Sequence, residues 1–274
     1  MDNIYIHDKN VKFPKNDFEH MHKSEKVHNY TYDKNFMYRL TGFKNKFIQF
    51  LFKLMLIILV QPVCIIRYAL RIKGKENIKK YFKISKSKSM ISICNHTVEW
   101  DTIFVSISRY FHFPEFPVWQ EGIESNQGMF FRYAGGIAMP YFSLKGTYYA
   151  YNAMKDVVKE GKWLHVFPEA ASWYFYPALR TFKCGTFQLA YETDMPILPM
   201  AVTYRPNKGL YKLFKKHPNA TLNIGEPIEI NHTLPKNEAI DDLMKRSHLS
   251  MVKLLGISSE EENTKLNSML KKSD

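Results

Sequence analysis

Cysteine is scarce in this sequence: Cys64, Cys94 and Cys184 are the only three in 274 residues. Their odd number and wide spacing exclude a disulfide framework and read as free thiols in a reducing compartment. The opening residues MDNIYIHDKN lack a basic stretch followed by an apolar one, so no cleaved secretory signal is expected. Acidic residues are in deficit, 26 Asp and Glu against 39 Lys and Arg, for a net charge of +13. Such a balance favours nucleic acid, an anionic membrane surface or phosphorylated substrates. Zinc-finger spacing, an RNP-like motif and a basic region with heptads are all missing, so nucleic acid is not the expected partner. No segment repeats with a period of roughly 20 to 50 residues, which excludes a solenoid. The His20-x-His22 pair shows no complete metal-ligand pattern around it and reads as part of a solvated segment, so no metal is expected. There is also no G-x-S-x-G nucleophile elbow.

What is present is a chain able to build a core. Apolar residues make up 45%, with 17 Tyr and 20 Phe among them, enough for one large α/β domain with appendages. Residues 1–40 read as a polar, solvated lead segment. Residues 41–74 hold the most apolar stretch, FIQFLFKLMLIILVQPVCIIRYALR at 47–71. Its uninterrupted part, Leu54 to Val60, is short of the roughly 20 residues a bilayer span needs. Counting across Lys53, Gln61 and Pro62 restores the length, and Pro62 should kink a helix just before it. Lys44, Lys46, Arg67, Arg71 and Lys73 flank the segment, as suits anionic headgroups. The expectation is a membrane-associating kinked helix pair dipping into one leaflet. A single span is the alternative, and a buried core helix the third reading.

From 75 to 257 short apolar segments alternate with helical ones. MISIC (90–94), PVWQ (117–120), GIAMPY (136–141), WLHVF (163–167), PILPMAVTY (196–204) and ATLNIGEPIEI (220–230) read as strands. Helices are expected over about 100–111, 146–162 and 236–256. The alternation predicts an α/β fold with a mixed, partly parallel sheet flanked by helices, and ligands beyond the strand C-terminal ends. Residues 258–274 read as a charged, frayed tail.

Four local patterns carry chemistry. In NHTVEWD (95–101), His96 follows a strand and Asp101 opens the next helix. There a carboxylate could fix the imidazole tautomer and stabilise imidazolium. The spacing alone fits a capped helix start equally. FPEA (167–170) puts Glu169 at a strand end, either facing the same crevice or beginning a surface turn. FKCGTF (182–187) sets Lys183, with Arg180 nearby, before a helix. That is a plausible phosphate site or an ordinary cationic loop. MPILPM (195–200) frames a strand start with two prolines.

Taken in order, NHxxxxD, a Gly-led strand, FPE, an FK-x-G loop and a PI-x-P strand resemble the glycerolipid acyltransferase family over about residues 75–230. That family includes the bacterial 1-acylglycerol-3-phosphate acyltransferases. The resemblance implies that His96, oriented by Asp101, deprotonates a lipid hydroxyl that attacks the thioester of acyl-CoA or acyl carrier protein. It implies acceptor-binding and ordering roles for Glu169, and a phosphate-facing position for Lys183 with Arg180 beside it. It implies no metal and no cofactor beyond the thioester co-substrate. The expected partners are a lysophospholipid acceptor, 1-acylglycerol-3-phosphate first, and an anionic membrane at its cytoplasmic face. A transacylase that moves acyl chains between phospholipids without CoA, or a silent lipid-binding homologue, would share these motifs. The chain departs from the family pattern at Pro140-Tyr141 and at Gln120, where a cation is usual, and at Ala170-Ala171-Ser172. Arg132, Lys145, Arg180 and Lys183 are the candidates to replace the missing charges.

Overall fold

A computed structural model describes residues 4–8, 11–21, 25–209, 212 and 215–271. Its centre is β2 (Met90–Ile93), buried at every position. Parallel neighbours cover both its edges: β5 (Trp163–Val166) on one side and β6 (Ile197–Arg205) on the other. Strands covered on both faces read as largely apolar runs instead of alternating ones, and MISI and WLHV each carry a single polar residue, Ser92 and His165, which meet in a buried 2.8 Å hydrogen bond. β7 (Asn219–Ile224) returns antiparallel to β6, and β1 (Arg71–Lys73) adds a parallel edge, for the order β1-β7-β6-β2-β5. β3 (Phe116–Trp119) and β4 (Gly136–Met139) form a separate parallel pair. A single bridge between Glu115 and Leu164 ties that pair to the β5 edge. The expected mixed α/β class is what the chain adopts. The strand expected over 220–230 stops at Ile224, and beyond Pro227, which has no N–H to give, one bridge between Ile197 and Ile228 continues the pairing.

The apolar segment is one continuous helix, Phe43–Tyr68, rather than a kinked pair. α1 (Phe43–Met55) and α2 (Gln61–Tyr68) are joined by a π-helical turn, Leu56–Val60. In that turn the Gln61 N–H donates to the Leu56 carbonyl five residues back, just before Pro62, which has no N–H to give. Two polar interruptions face the domain: the Gln49 side chain donates to the Arg132 carbonyl at 3.0 Å, and Gln61 donates to Ser106 Oγ at 3.0 Å. Leu56, Cys64 and Tyr68 are buried there, while Phe43, Phe47, Phe50, Ile58, Val63 and Ile66 are exposed. By length and composition the helix is sufficient to cross a membrane.

Both chain ends depart from expectation. The lead segment is packed, not solvated. Tyr32, Tyr38, Arg39 and Leu40 are buried, and the Arg39 guanidinium donates to both oxygens of Glu115 and of Glu160 over 2.7–3.1 Å. Its polar composition hid an aromatic row, Tyr30, Tyr32, Phe36 and Tyr38, whose rings pack on one another. The tail is a docked helix, Glu260–Lys271, instead of a frayed end. Ser259 Oγ accepts the Glu262 N–H and Glu262 reaches back to the Ser258 N–H, each at 3.2 Å, a reciprocal N-terminal cap. The Asn263 amide then clamps both backbone groups of Leu179 at 2.9 Å.

Candidate active site

β2 ends in a side chain that imitates backbone. Asn95 donates to the Val202 carbonyl at 3.1 Å and accepts the Val202 N–H at 2.8 Å, extending the pairing with β6 by one rung. The next residue, His96, is thereby delivered to the C-terminal edge of the sheet. Asp101 opens the following helix, α4 (Asp101–Ile107). Its fully buried carboxylate collects the backbone N–H groups of Thr97 and Val98 and lies 3.0 Å from His96 Nδ1. A carboxylate on Nδ1 selects the tautomer with hydrogen there and leaves the Nε2 lone pair free. The ring stacks flat on Phe167, with centroids 4.1 Å apart and planes 14° apart. Its side chain is 18% exposed and lines a cavity of about 630 Å³. Phe116, Val118, Met139, Met154, Leu164 and Val166 give the cavity an apolar wall, while Glu99, Tyr174 and Lys183 are among its polar lining.

Glu169 does follow β5, beside β2 as expected, yet it turns inward. It is 1% exposed, accepts the His96 N–H at 2.9 Å and the Arg180 N–H at 2.8 Å, and pairs with Arg180 Nη2 at 3.1 Å. Arg180 is equally buried. Its guanidinium also serves the carbonyls of Asp17 and Ala171 and lies 4.4 Å over the Trp173 ring. Neither residue is among the described cavity-lining residues; they form a buried pair that shapes the His96 loop. Small residues at 170–172 allow it: the chain doubles back at once, with Ala170 at φ 59°. Lys183 is exposed at the rim and is the sole Lys or Arg among the described cavity-lining residues. Of the other candidate cations, Arg132 is buried over the Phe36 ring, and Lys145 is exposed away from the cavity.

Phe18 and His20 also line the cavity, and sequence reasoning missed both. Their only signal was the density of aromatic and histidine side chains in a segment that looked solvated. His22 lies outside the described residues. Among the described residues no group of His, Cys, Asp and Glu could hold a metal ion.

Two histidines near the site are held neutral. Burial first, and the neighbouring His96 second, pushes His20 down to about 4 and the fully buried His165 down to about 3. His165 sits edge-on to Phe167 at 4.7 Å and shares a 2.8 Å hydrogen bond with Ser92 Oγ. For a histidine whose folded pKa is depressed, the unfolded chain binds the extra proton. Stability is then complete above the ordinary histidine value of 6.5 and is lost as pH falls below it towards the folded values. Melting temperature is expected to drop progressively from pH 7 to pH 5, and His165→Gln should flatten part of that slope. A flat wild-type profile across this window would show that neither histidine is held neutral.

An imidazole with a buried carboxylate on Nδ1, lining a largely apolar cavity, is an arrangement able to take a proton from a polar group on an apolar ligand. Residues 69–203 match the model of the family described as Acyltransferase. Over this stretch, just under half of the 274 residues, the chain is similar to the acyltransferases of that family. Eight solved chains match it. One is the crystal structure of the 1-acyl-sn-glycerophosphate (LPA) acyltransferase PlsC from Thermotoga maritima, with 17% identity and a TM-score of 0.41, covering 74% of this chain and 95% of that one. No curated protein matches the chain in sequence.

Proposed function

We propose that the protein moves a fatty acyl group from acyl-CoA or acyl carrier protein to the free hydroxyl of a lysophospholipid, with 1-acylglycerol-3-phosphate as the acceptor. The observation that carries this reading is the His96 imidazole, fixed by Asp101 at 3.0 Å and opening on an apolar cavity able to take an acyl chain. The acceptor O–H gives its proton to Nε2 as its oxygen attacks the thioester carbonyl. The tetrahedral intermediate collapses by breaking the C–S bond, and the imidazolium returns the proton to the departing thiolate. The products are a doubly acylated phospholipid and a free thiol, with no net proton consumed. A base within hydrogen-bond reach contributes about 100- to 10,000-fold, and positioning of the two substrates supplies more.

The exposed apolar face of the Phe43–Tyr68 helix and the net charge of +13 support association with an anionic membrane at its cytoplasmic face, where both substrates are found. Vesicles containing phosphatidylglycerol should carry the protein upward in a density gradient better than phosphatidylcholine vesicles. Protein that stays at the bottom with both would sink the membrane assignment.

The decisive experiment is thiol release by the purified protein in detergent, supplied with an acyl thioester and a panel of lysolipids. Release that depends on 1-acylglycerol-3-phosphate is the expected result. Release with no pair would overturn the proposal, and acylation without any thioester would replace it with phospholipid-to-phospholipid transfer.

A further inference from the structure

One wall of the cavity comes from outside the family region. Residues 69–203 match the family, whereas Phe18 and His20 belong to the lead segment and share the cavity with His96 and Lys183. Hydrogen bonds fasten this strap along its length. Asn16 accepts the N–H of Phe18 on its side chain at 3.1 Å and that of Glu19 on its carbonyl at 3.0 Å. The Asp17 carboxylate accepts the Thr181 N–H at 3.2 Å and hydroxyl at 2.7 Å, together with the Lys271 ammonium. The Asp17 carbonyl accepts Arg180 Nη1 at 2.6 Å, and the Glu19 carbonyl accepts Trp173 Nε1 at 2.7 Å. Every one of these outside partners except Lys271 lies on the chain between FPEA and FKCGTF, the two loops next to His96.

The anchoring sets two rings. Lys183 Nζ lies 4.6 Å over the Phe18 ring, which orients the cavity's single Lys or Arg. His20 stacks on Trp119, with centroids 5.3 Å apart and planes 27° apart. It is neutral at pH 7, so it adds bulk and a hydrogen-bonding edge there but no charge. The rim on this side therefore offers one cation, Lys183, between flat aromatic walls. A phosphate monoester is compact enough for such a place. An alcohol esterified to the phosphate adds bulk on the side where Phe18 and His20 line the cavity.

We propose that Phe18 and His20 are headgroup-specificity residues, which with Lys183 admit a lysolipid phosphate monoester and exclude lysophospholipids whose phosphate bears a further headgroup. The inference rests on the acyl-transfer reading above. Its test is the ratio of kcat/KM for 1-acylglycerol-3-phosphate over lysophosphatidylglycerol, measured in full-length wild type, Phe18→Ala, His20→Ala and His96→Ala. Each alanine in the strap should lower this ratio by about tenfold, the order expected when one pocket contact is removed. The change should sit in the acceptor KM, with the thioester KM unmoved. The milder Phe18→Leu and His20→Asn should lie between, and they serve as the readout if an alanine variant melts well below wild type. Equal falls for both acceptors would make the strap structural, and equal rises would make it inhibitory; either overturns the proposal. An active wild type with unchanged ratios in the variants sinks this inference alone. A wild type that acylates neither lipid, or a His96→Ala protein that still does, overturns the acyl-transfer reading and this inference with it.

Discussion

Replacing His96 with alanine is expected to lower kcat by about 100- to 10,000-fold, with substrate KM values and the melting temperature nearly unchanged. The side chain makes few contacts that hold the fold. It lies against Phe167 and reaches Asp101 with one nitrogen. When it is removed, Asp101 still accepts the Thr97 and Val98 N–H groups, so the start of α4 remains capped. Asp101→Asn should behave differently. The single amide oxygen is claimed by those two N–H groups, the His96 Nδ1–H loses its acceptor, and the tautomer with a free Nε2 is no longer favoured. Its activity should therefore fall nearly as far, with a lower melting temperature as well. Steady-state thiol release with each variant checks both. A His96→Ala enzyme within tenfold of wild type would remove His96 as the base.

The largest expected effect on stability comes from breaking the Glu169–Arg180 pair. Both side chains are about 1% exposed, and removing one partner strands a buried charge, a loss of about 3–5 kcal/mol. For a chain of this size that corresponds to a fall in melting temperature of roughly 10 °C. Arg180→Ala also withdraws the donor to the Asp17 and Ala171 carbonyls. Glu169→Ala leaves the His96 N–H without its acceptor, so the loop that presents the base should loosen and kcat should fall with stability. Thermal melts read beside acceptor KM decide between roles. A variant with an unchanged melting temperature and a raised acceptor KM would return these residues to the substrate, against the geometry described above.

The local elements of this protein could be read from one dimension because their causes are local. Largely apolar runs at 90–94 and 163–167 mark doubly covered strands, and β2 and β5 begin where those runs begin. The NHxxxxD spacing brings a carboxylate to the imidazole across a strand-to-helix turn, within hydrogen-bond reach. Even the terminal helix carried its signal, since Ser259 and Glu262 stand at capping-box spacing, but the surrounding charge made the stretch resemble a frayed tail. Pro62 did signal an interruption, which takes the form of a π turn over Leu56–Val60.

The sequence by itself determined the fold class and the order of the chemical motifs, and it was that order, not the His96–Asp101 spacing alone, that pointed to their pairing. Tertiary structure alone decided which charges face the cavity. Glu169 and Arg180 look like cavity residues in the sequence and are in fact consumed by one another, because the 170–180 loop folds back over Trp173. Phe18 and His20 look like solvated lead residues and are brought to the cavity by bonds to Arg180, Thr181 and Trp173. Those bonds join positions more than 150 apart in the chain. Pairings so distant depend on the packing of the whole chain, and no local pattern encodes them.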